Sequence, residues 1–230
     1  MRDSGERRRA VIRGARSGLP IALGYLPIAI AFGMLARGAG LSVAQAAGMS
    51  AFVYAGASQF ASLSLIQGGS SAAAIGLATL VLNFRHFLMS ASLAQKIRTG
   101  WASSLLLGFG ITDETYVVAT LDETTSPPFF LGLALVAYLS WNAGTLIGAA
   151  YAPLLPPFLA RGMGVGLYAM FIAILVPGAR KAWINGAVAA TGGLAAWGLS
   201  RLLPSLPFGF RIVIAILTAS AIGAAAKKEE

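Results

Sequence analysis

The stretch SAAAIGLATLVLNFRHFLMSASLAQ, residues 71–95, is an apolar run with an arginine and a histidine side by side, at Arg85 and His86. It is long enough to cross a bilayer, because about 20 apolar residues span the hydrocarbon core. An arginine at the centre of a membrane helix costs about 2.5–3.5 kcal/mol on the insertion scale, and such residues are usually functional. We therefore expect a membrane helix that carries a polar site, as a transport protein would need.

The composition of the whole chain supports the same class. Of its 230 residues, 57% are hydrophobic and only 11% are charged, whereas a soluble domain carries about 25% charged residues. The 28 glycines suit helices that pack closely in lipid. We expect an all-α integral membrane protein, a polytopic helical bundle in which a short basic cytoplasmic tail, 1–16, precedes a single transmembrane domain, 17–230.

The net charge of +9 is concentrated where it would orient a membrane protein. Six basic residues fall within the first sixteen positions: Arg2, Arg7, Arg8, Arg9, Arg13 and Arg16. Basic residues of this kind favour the cytoplasmic side, so we expect a multi-pass protein of an inner or plasma membrane with a cytoplasmic N-terminus and no nucleic-acid partner. With no cysteine and one histidine, we expect neither a metal site nor a cofactor.

Apolar segments recur along the chain at lengths that suit membrane spans. We expect seven to eight spans, eight if the fourth segment crosses fully and seven if it dips in and out. The segments are 18–36, 41–67, 71–95, 101–121, 129–151, 163–177, 182–199 and 211–226.

Three of these segments are interrupted. Pro27 should kink or break the first, because proline donates no N–H and clashes with the preceding turn. The small and polar residues of AGASQF, 55–60, indicate a break between two half-helices, a feature that presents helix N-termini to substrates in many carriers. The polar residues 112–115 either lie in the middle of a span or form a loop in which Thr112 caps the next helix.

Arg85 is the leading candidate for substrate binding. Its planar guanidinium suits a carboxylate, so it could bind an anionic substrate group or hold Asp113 or Glu114. Alternatively it forms a structural ion pair or extends to the lipid headgroups. The other candidates for substrate binding are Tyr54, Gly56, Ser58, Gln59 and Asn83, for which interhelical hydrogen bonding is the alternative.

Three titratable residues are candidates for proton coupling. His86 titrates near neutrality, although a packing role is equally consistent with the sequence. Asp113 and Glu114 are the acids that could lie deep in the membrane, where a carboxylate pairs with a cation or takes up a proton. A loop between two shorter helices is the alternative for these two acids.

Four stretches carry a resemblance to a known family. They are GYLPIAIAFGMLARGAGLS at 24–42, YAGASQF at 54–60, NFRHFLMSASLA at 83–94 and TDETY at 112–116. Together they resemble the AzlC family of branched-chain amino acid exporters, over most of the chain and most strongly in its first half. The order and spacing of the second and third stretches are its most specific part.

The resemblance implies a two-component exporter. A large subunit like this chain would work with a small AzlD-type membrane subunit to export leucine, isoleucine, valine or analogues, driven by a proton gradient. The resemblance brings no map of functional residues, so the site residues above rest on their chemistry. It implies that the protein is not an enzyme.

Other classes of protein remain as alternatives. A membrane scaffold or accessory subunit would need no water-accessible path to Arg85, and a channel would need no alternation. An intramembrane serine protease would have to pair Ser58 with His86 within hydrogen-bond reach.

Overall fold

The computed structural model describes residues 2–154, 156, 158, 172, 175–176, 179–180, 182–206 and 208–227. Their regular structure is helical throughout, which confirms the all-α class. The helices are α1 Arg2–Gly38, α2 Val43–Phe52, α3 Gly56–Gln67, α4 Ala72–Lys96, α5 Trp101–Phe109, α6 Asp113–Leu121, α7 Pro127–Tyr151 with a 3₁₀ turn at Ala152–Leu154, α8 Trp183–Leu202 and α9 Phe208–Lys227. The expected span at 163–177 lies almost wholly outside the described residues.

Three of the described helices are long and apolar enough to cross a membrane. They lie in α1, α4 and α7, over Gly5–Gly38, Ala72–Lys96 and Pro127–Leu154. Further along the chain, α8 packs on α9, and α9 packs on α4.

Helix α1 runs without a break through Pro20 and Pro27, so the expected break at Pro27 is absent. Helix α1 packs along the length of α7. Such packing allows a membrane helix to accommodate proline without a break. Next to this stretch, the Ser140 hydroxyl donates to the Ala22 carbonyl at 2.6 Å. The basic residues 2–16 form the first turns of the same helix, which at 37 residues is about 55 Å long.

Glycines allow α1 and α7 to approach closely, and the contacts at these glycines show the relative direction of the two helices. A Cβ on Gly132 would lie 2.1 Å from the Val11 carbonyl oxygen, and one on Gly148 would lie 2.0 Å from that of Ile30. Neither position has room for a side chain, as expected for close helix contacts in membranes. Because the contacts advance together along both helices, α1 and α7 are parallel.

Helices α2 and α3 form a re-entrant hairpin, hereafter hairpin 1. Ala46 near the start of α2 and Leu63 near the end of α3 share one buried cluster with Ala149 at the end of α7. The link between the two helices, which contains Tyr54, instead lies against Tyr138 in the middle of α7, with ring centroids 5.0 Å apart. Both ends of hairpin 1 therefore lie at the level where α1 ends.

Helices α5 and α6 form a second hairpin, hairpin 2, which enters from the opposite side. Lys96 at the end of α4 donates to the carbonyls of Thr120, at 2.7 Å, and Asp122, at 2.8 Å, so α6 ends where α4 ends. At the start of α5, Ser103 lines a groove together with Arg7. Both ends of hairpin 2 thus lie at the level where α1 begins.

These contacts do not fit the expectation that 41–67 crosses the membrane, and for 101–121 they fit the alternative in which the segment dips in and out. The four hairpin helices have 9–12 residues each, which makes them about 14–18 Å long. That is about half of the roughly 30 Å hydrocarbon core. Residues 2–154 therefore contain three helices long and apolar enough to cross a membrane, hereafter the crossing helices, and two short hairpins whose tips meet.

Candidate functional site

The tips of the two hairpins meet in the middle of the bundle and enclose a small cavity. Tyr54 of hairpin 1 and Phe109 of hairpin 2 are in contact, with ring centroids 5.9 Å apart. The cavity has a volume of about 30 Å³, which is the space of about one water molecule. Its lining residues are Tyr25, Tyr54, Ala55, Gly56, Ala57, Arg85, His86, Thr112, Asp113, Glu114 and Trp141.

The tip of hairpin 1 presents a helix N-terminus to this cavity. The chain turns at Tyr54, whose φ of 43° lies in the left-handed region that non-glycine residues seldom adopt. Helix α3 then begins after Ala55, which provides no side-chain cap. Its first N–H groups therefore lack a capping partner, and the positive end of the helix dipole is directed at the cavity. The break that the sequence indicated at 55–60 is present slightly earlier, at residues 53–55, between the end of α2 at Phe52 and the start of α3 at Gly56.

The tip of hairpin 2 presents a second helix N-terminus, which carries two acids. The Thr112 hydroxyl accepts from the Thr115 N–H, and the Thr115 hydroxyl accepts from the Thr112 N–H, forming a capping box. Asp113 and Glu114 occupy the first turn of α6, where the helix dipole stabilises negative charge. The loop interpretation of 112–115, with Thr112 as the cap, is therefore the one the structure adopts.

Arg85 projects from the middle of α4 into the cavity and pairs with Asp113 on hairpin 2. Arg85 Nη1 lies 2.9 Å from Asp113 Oδ2, and the two side chains are 34% and 26% exposed. The guanidinium therefore lies at the hairpin tips and not among the headgroups. The interaction ties α4 to the tip of hairpin 2.

Glu114 and Tyr25 form the second polar contact of the site. The Tyr25 hydroxyl donates to Glu114 Oε2 and lies 2.8 Å from the Thr112 hydroxyl oxygen. The other Glu114 oxygen, Oε1, is buried and has no hydrogen-bond partner among the described residues, and the same holds for the Tyr54 hydroxyl. Buried polar atoms without partners are rare in proteins, so these two are free to bind a ligand in the cavity.

His86 lines the cavity beside Arg85, whereas Asn83 does not. The Nδ1 atom of His86 lies 3.2 Å from the Asn83 carbonyl oxygen. Asn83 is therefore linked to the site by its backbone carbonyl, which contacts His86.

Ser58 and Gln59 lie behind the tip of hairpin 1 and do not line the cavity. Gln59 is fully buried, donates to Ser50 Oγ at 3.0 Å and accepts from Trp141 Nε1 at 3.0 Å. Ser58 donates to the Ala55 carbonyl at 2.9 Å. The hydrogen bonds of these residues hold the break in the chain in place. A serine protease would need the Ser58 hydroxyl to contact the His86 imidazole, but Ser58 bonds to Ala55 and His86 lies against Asn83.

Tyr25 is a site residue that the sequence reasoning missed, and Trp141 lies beside it in the cavity wall. Tyr25 is 5% exposed and its ring meets that of Trp141 edge-on, with centroids 5.3 Å apart. A signal was present, because a phenol in the middle of an apolar span must find a hydrogen-bond partner. That requirement does not identify the partner, which comes from hairpin 2.

Comparison with known proteins finds several related proteins. The Escherichia coli K12 inner membrane protein YgaZ is 33% identical over 175 residues, covering 72% of this chain and 71% of the relative. An uncharacterized membrane protein of Archaeoglobus fulgidus is 32% identical over 178 residues, covering 76% and 79%. The Bacillus subtilis branched-chain amino acid transport protein AzlC is 27% identical over 165 residues, covering 69% and 63%. No solved structure matches the chain.

A family model described as AzlC protein matches residues 20–155. This range is more than half of the chain and contains the second half of α1, all of α4 and α7, and both hairpins. The chain belongs to the AzlC family.

Proposed function

We propose that this chain is a carrier that exports branched-chain amino acids and binds them in the cavity between the hairpin tips. The observation that supports the proposal most directly is the meeting of two re-entrant hairpins at a site with an ion pair and two unpartnered buried polar atoms. The Bacillus subtilis relative, a branched-chain amino acid transport protein by name, supports the transport role. Polar residues at half-helix ends near the midplane are the usual binding arrangement of carriers.

The two ends of an amino acid have complementary partners in the cavity. The carboxylate would accept hydrogen bonds from the first N–H groups of α3, at Gly56 and Ala57, since helix N-termini bind anions. Arg85 provides a second cationic partner for the same group. The ammonium group would donate to Glu114 Oε1 and the Tyr54 hydroxyl, both unpartnered in the cavity wall.

The cavity must enlarge before it can hold an amino acid. At about 30 Å³ it is much smaller than typical ligand pockets, which have volumes of roughly 300–1,000 Å³. The Arg85–Asp113 ion pair joins α4 to hairpin 2. When the pair separates, the carboxylate of an amino acid can take the place of Asp113 beside Arg85. Its ammonium group can take the place of Arg85 beside Asp113.

Glu114 is the residue that we propose exchanges the coupling proton. One of its oxygens accepts from Tyr25 and the other faces the cavity without a partner. A carboxylate in such surroundings is charged when a cation is close and otherwise takes up a proton. Binding of the substrate ammonium and binding of a proton at Glu114 would then exclude each other. His86 and Asp113 line the same cavity and are the alternative proton carriers.

The distribution of basic residues supports a cytoplasmic N-terminus. Because both ends of hairpin 2 lie where α1 begins, the residues just before it join the basic start of α1 on one side of the membrane. That side holds Arg2, Arg7, Arg8, Arg9, Arg13, Arg16, Lys96 and Arg98. Within residues 2–154, Arg37 is the one basic residue at the opposite ends of the three crossing helices, and such an asymmetry is typical of cytoplasmic ends.

A small AzlD-type membrane subunit is the partner that we propose from the family resemblance, with an inner or plasma membrane as the site of both. Co-expression with a small membrane protein encoded beside this chain should raise leucine efflux from cells. Equal efflux with and without it would remove the partner from the proposal.

The central experiment measures leucine and valine efflux from proteoliposomes that contain the purified chain, with its partner if one is required. The variant Arg85→Gln should lose most efflux, because the cavity loses its cationic group. Arg37→Gln is the matched control, since Arg37 bonds only to the nearby Leu41 carbonyl among the contacts found for it and lies outside the cavity. Normal efflux by Arg85→Gln would exclude Arg85 from the site.

A charge exchange separates substrate binding from a structural role of the ion pair. In the double variant Arg85→Asp with Asp113→Arg, the pair is restored with its charges reversed. If the pair only holds α4 to hairpin 2, efflux should return. We expect efflux to remain lost while the protein keeps its thermal stability, because the substrate then meets each charge at the wrong end of the cavity.

A further inference from the structure

We propose that the amino acid enters from the cytoplasmic side through the groove between α1, α5 and α7, and that hairpin 2 moves to connect this groove with the cavity. The inference rests on the proposed function. It assigns a role to a large groove that the site does not use and to the unequal packing of the two hairpins.

Hairpin 1 is fixed to the crossing helices by buried contacts. Its residues Ala46 and Leu63 belong to an apolar cluster with the end of α1 and the end of α7. Gln59 ties its two arms together through Ser50 and to α7 through Trp141. Because moving hairpin 1 would expose these polar groups and open a packed cluster, we infer that it stays with α1 and α7.

Hairpin 2 has looser surroundings. Leu107 is the one residue of α5 that is buried. A groove of about 710 Å³ separates α5 from α1 and the start of α7, and another of about 280 Å³ separates it from α4. An element with few buried apolar contacts and space on both sides needs little free energy to move.

Ala119, Tyr116 and Val118 of α6 pack on the main apolar cluster, but the side-chain hydrogen bonds and the ion pair of α6 can be exchanged for contacts with water or a substrate. They join side chains of α6 to side chains of α1 and α4. The pairs are Arg85 with Asp113, Tyr25 with Glu114, and Ser92 with Tyr116. The first two pairs are also the groups that would bind the amino acid, so substrate binding would release the tip of hairpin 2.

The far end of α6 is held more firmly and would act as the pivot. Lys96 donates to the carbonyls of Ala119, Thr120 and Asp122. Arg13 donates to Thr124 and lies 3.8 Å from the Asp122 carboxylate. A cationic side chain at a helix C-terminus is favourable, so these contacts restrain the cytoplasmic end while the tip moves.

The groove has the chemistry of an entrance for a small zwitterion. Glu6 and Arg7 lie at its polar end, with the hydroxyls of Thr99 and Ser103 beside them, and Leu107 and Leu131 lie at its apolar end. The two charged groups complement the two charges of an amino acid, and the leucines complement a branched side chain.

A close contact holds the tip of hairpin 2 against α7. Gly110, at the tip of hairpin 2, packs so closely on α7 that a Cβ added to it would lie 2.6 Å from the Cβ of Ala134. Ile111 follows it into the buried cluster that contains Phe130 and Ala134. A methyl group at position 110 would therefore act as a wedge that holds the tip away from α7.

The test uses a reporter cysteine in a chain that has no native cysteine. Ala57→Cys places a thiol in the cavity lining. A membrane-impermeant maleimide is added to sealed inverted vesicles, which expose the cytoplasmic face, and to right-side-out vesicles. The alkylation rate of Cys at position 57 is then measured with no amino acid present.

We expect Gly110→Ala to raise the alkylation rate several-fold in inverted vesicles and to leave it unchanged in right-side-out vesicles. Gly108→Ala is the matched control, because no atom lies within 4 Å of its added Cβ, and it should not change the rate. Adding Ala134→Gly to Gly110→Ala restores the space and should return the rate to that of the parent.

Equal rates for Gly110→Ala and Gly108→Ala, or a rise confined to right-side-out vesicles, would overturn the proposal. So would a thiol at position 57 that is never alkylated from the cytoplasmic face in any variant. Because this readout needs no substrate, it can fail while leucine efflux depends on Arg85, and it can succeed while leucine is not transported.

Discussion

Polar residues in this membrane protein divide into those that fix the backbone and those that face the cavity. Gln59 belongs to the first group, because its side chain hydrogen-bonds to the Ala55 N–H, to Ser50 and to Trp141. Glu114 belongs to the second group, because one of its oxygens is buried and unpartnered at the cavity. The position of a polar side chain relative to the hairpin tip therefore decides which of the two purposes it serves.

Replacing Gln59 should destabilise the protein more than it changes the cavity surface. Gln59→Leu leaves the Trp141 indole N–H and the Ala55 N–H without their partner, whereas the Ser50 hydroxyl keeps its hydrogen bond with Thr145, and each buried unsatisfied group costs about 1–3 kcal/mol. We expect a clear fall in the melting temperature in detergent micelles. Gln67→Leu, at the exposed end of α3, should leave the melting temperature nearly unchanged, and equal effects of both changes would contradict this role of Gln59.

Replacing Glu114 should separate proton coupling from substrate binding. Glu114→Gln keeps the size of the side chain but cannot release a proton. We expect leucine uptake or efflux driven by a pH gradient to be lost, while exchange of labelled for unlabelled leucine across the same vesicles continues. Glu123→Gln, in the loop after α6, is the control. If gradient-driven transport by Glu114→Gln were normal, another group would have to carry the proton.

At the scale of elements, the parallel pair of α1 and α7 provides the support on which both hairpins pack. Its close approach depends on glycines that alternate between the two helices, among them Gly14 and Gly33 on α1 and Gly132, Gly144 and Gly148 on α7. Close backbone packing of this kind stabilises membrane helix pairs without a hydrophobic driving force. The hairpins, by contrast, take their positions from side-chain contacts.

A methyl group at one of these glycines should disrupt the pair. The Cβ of Gly148→Ala would lie 2.0 Å from the Ile30 carbonyl oxygen, so the helices must separate, and overpacking of this kind costs about 1–3 kcal/mol or more. We expect a lower melting temperature and less monodisperse protein. Gly24→Ala is the control on the opposite helix, because nothing lies within 4 Å of its added Cβ; a similar loss for both would contradict the account of this packing.

At the scale of the whole molecule, two hairpins from opposite sides replace two of the crossings that the sequence suggests. The arrangement with eight crossings and the arrangement with two hairpins differ in the side of the membrane on which two connecting loops lie. With eight crossings, residue 70 would lie on the side of the N-terminus and residue 99 on the other side. With re-entrant hairpins the two residues exchange sides.

Single cysteines at these positions report their side directly. We expect Thr99→Cys to react with an impermeant maleimide in inverted vesicles and Ser70→Cys to react in right-side-out vesicles. Glu123→Cys, on the cytoplasmic side in both arrangements, is the control for vesicle orientation. Reaction of Thr99→Cys from outside the cell would restore the fourth crossing.

The sequence was sufficient to predict the breaks near residues 55 and 112, but not the continuous helix through Pro27 or the direction of the chain after each break. AGASQF and TDET interrupt apolar runs with small or charged residues, and each does mark the start of a helix, at Gly56 and Asp113. A run of 21–27 residues can cross a bilayer once or enter and return as two short helices, because both use apolar residues over the same length. Tertiary contacts such as Lys96 with Thr120 decide between them.

The candidate site was predictable in its charges and less so in its neutral residues. Arg85, Asp113 and Glu114 must be placed together because isolated charges in lipid are costly. Ser58 and Gln59 are polar in the same stretch as Gly56, yet the helix turns them toward α7 and the backbone. Tyr25 joins the site from a helix whose sequence is otherwise that of a simple span, so its role depends on where hairpin 2 lies.

The measurement that tests the central claim most directly is protection of the cavity by substrate. The protein with Ala57→Cys, reconstituted in membranes, is treated with a maleimide in the absence and presence of saturating leucine, and the alkylation rate is compared with that of a cysteine at Glu123, which lines neither the cavity nor the groove. We expect leucine to slow alkylation at position 57 several-fold and to leave position 123 unaffected. An unchanged rate at position 57, in protein that transports leucine, would show that the amino acid does not bind between the hairpin tips.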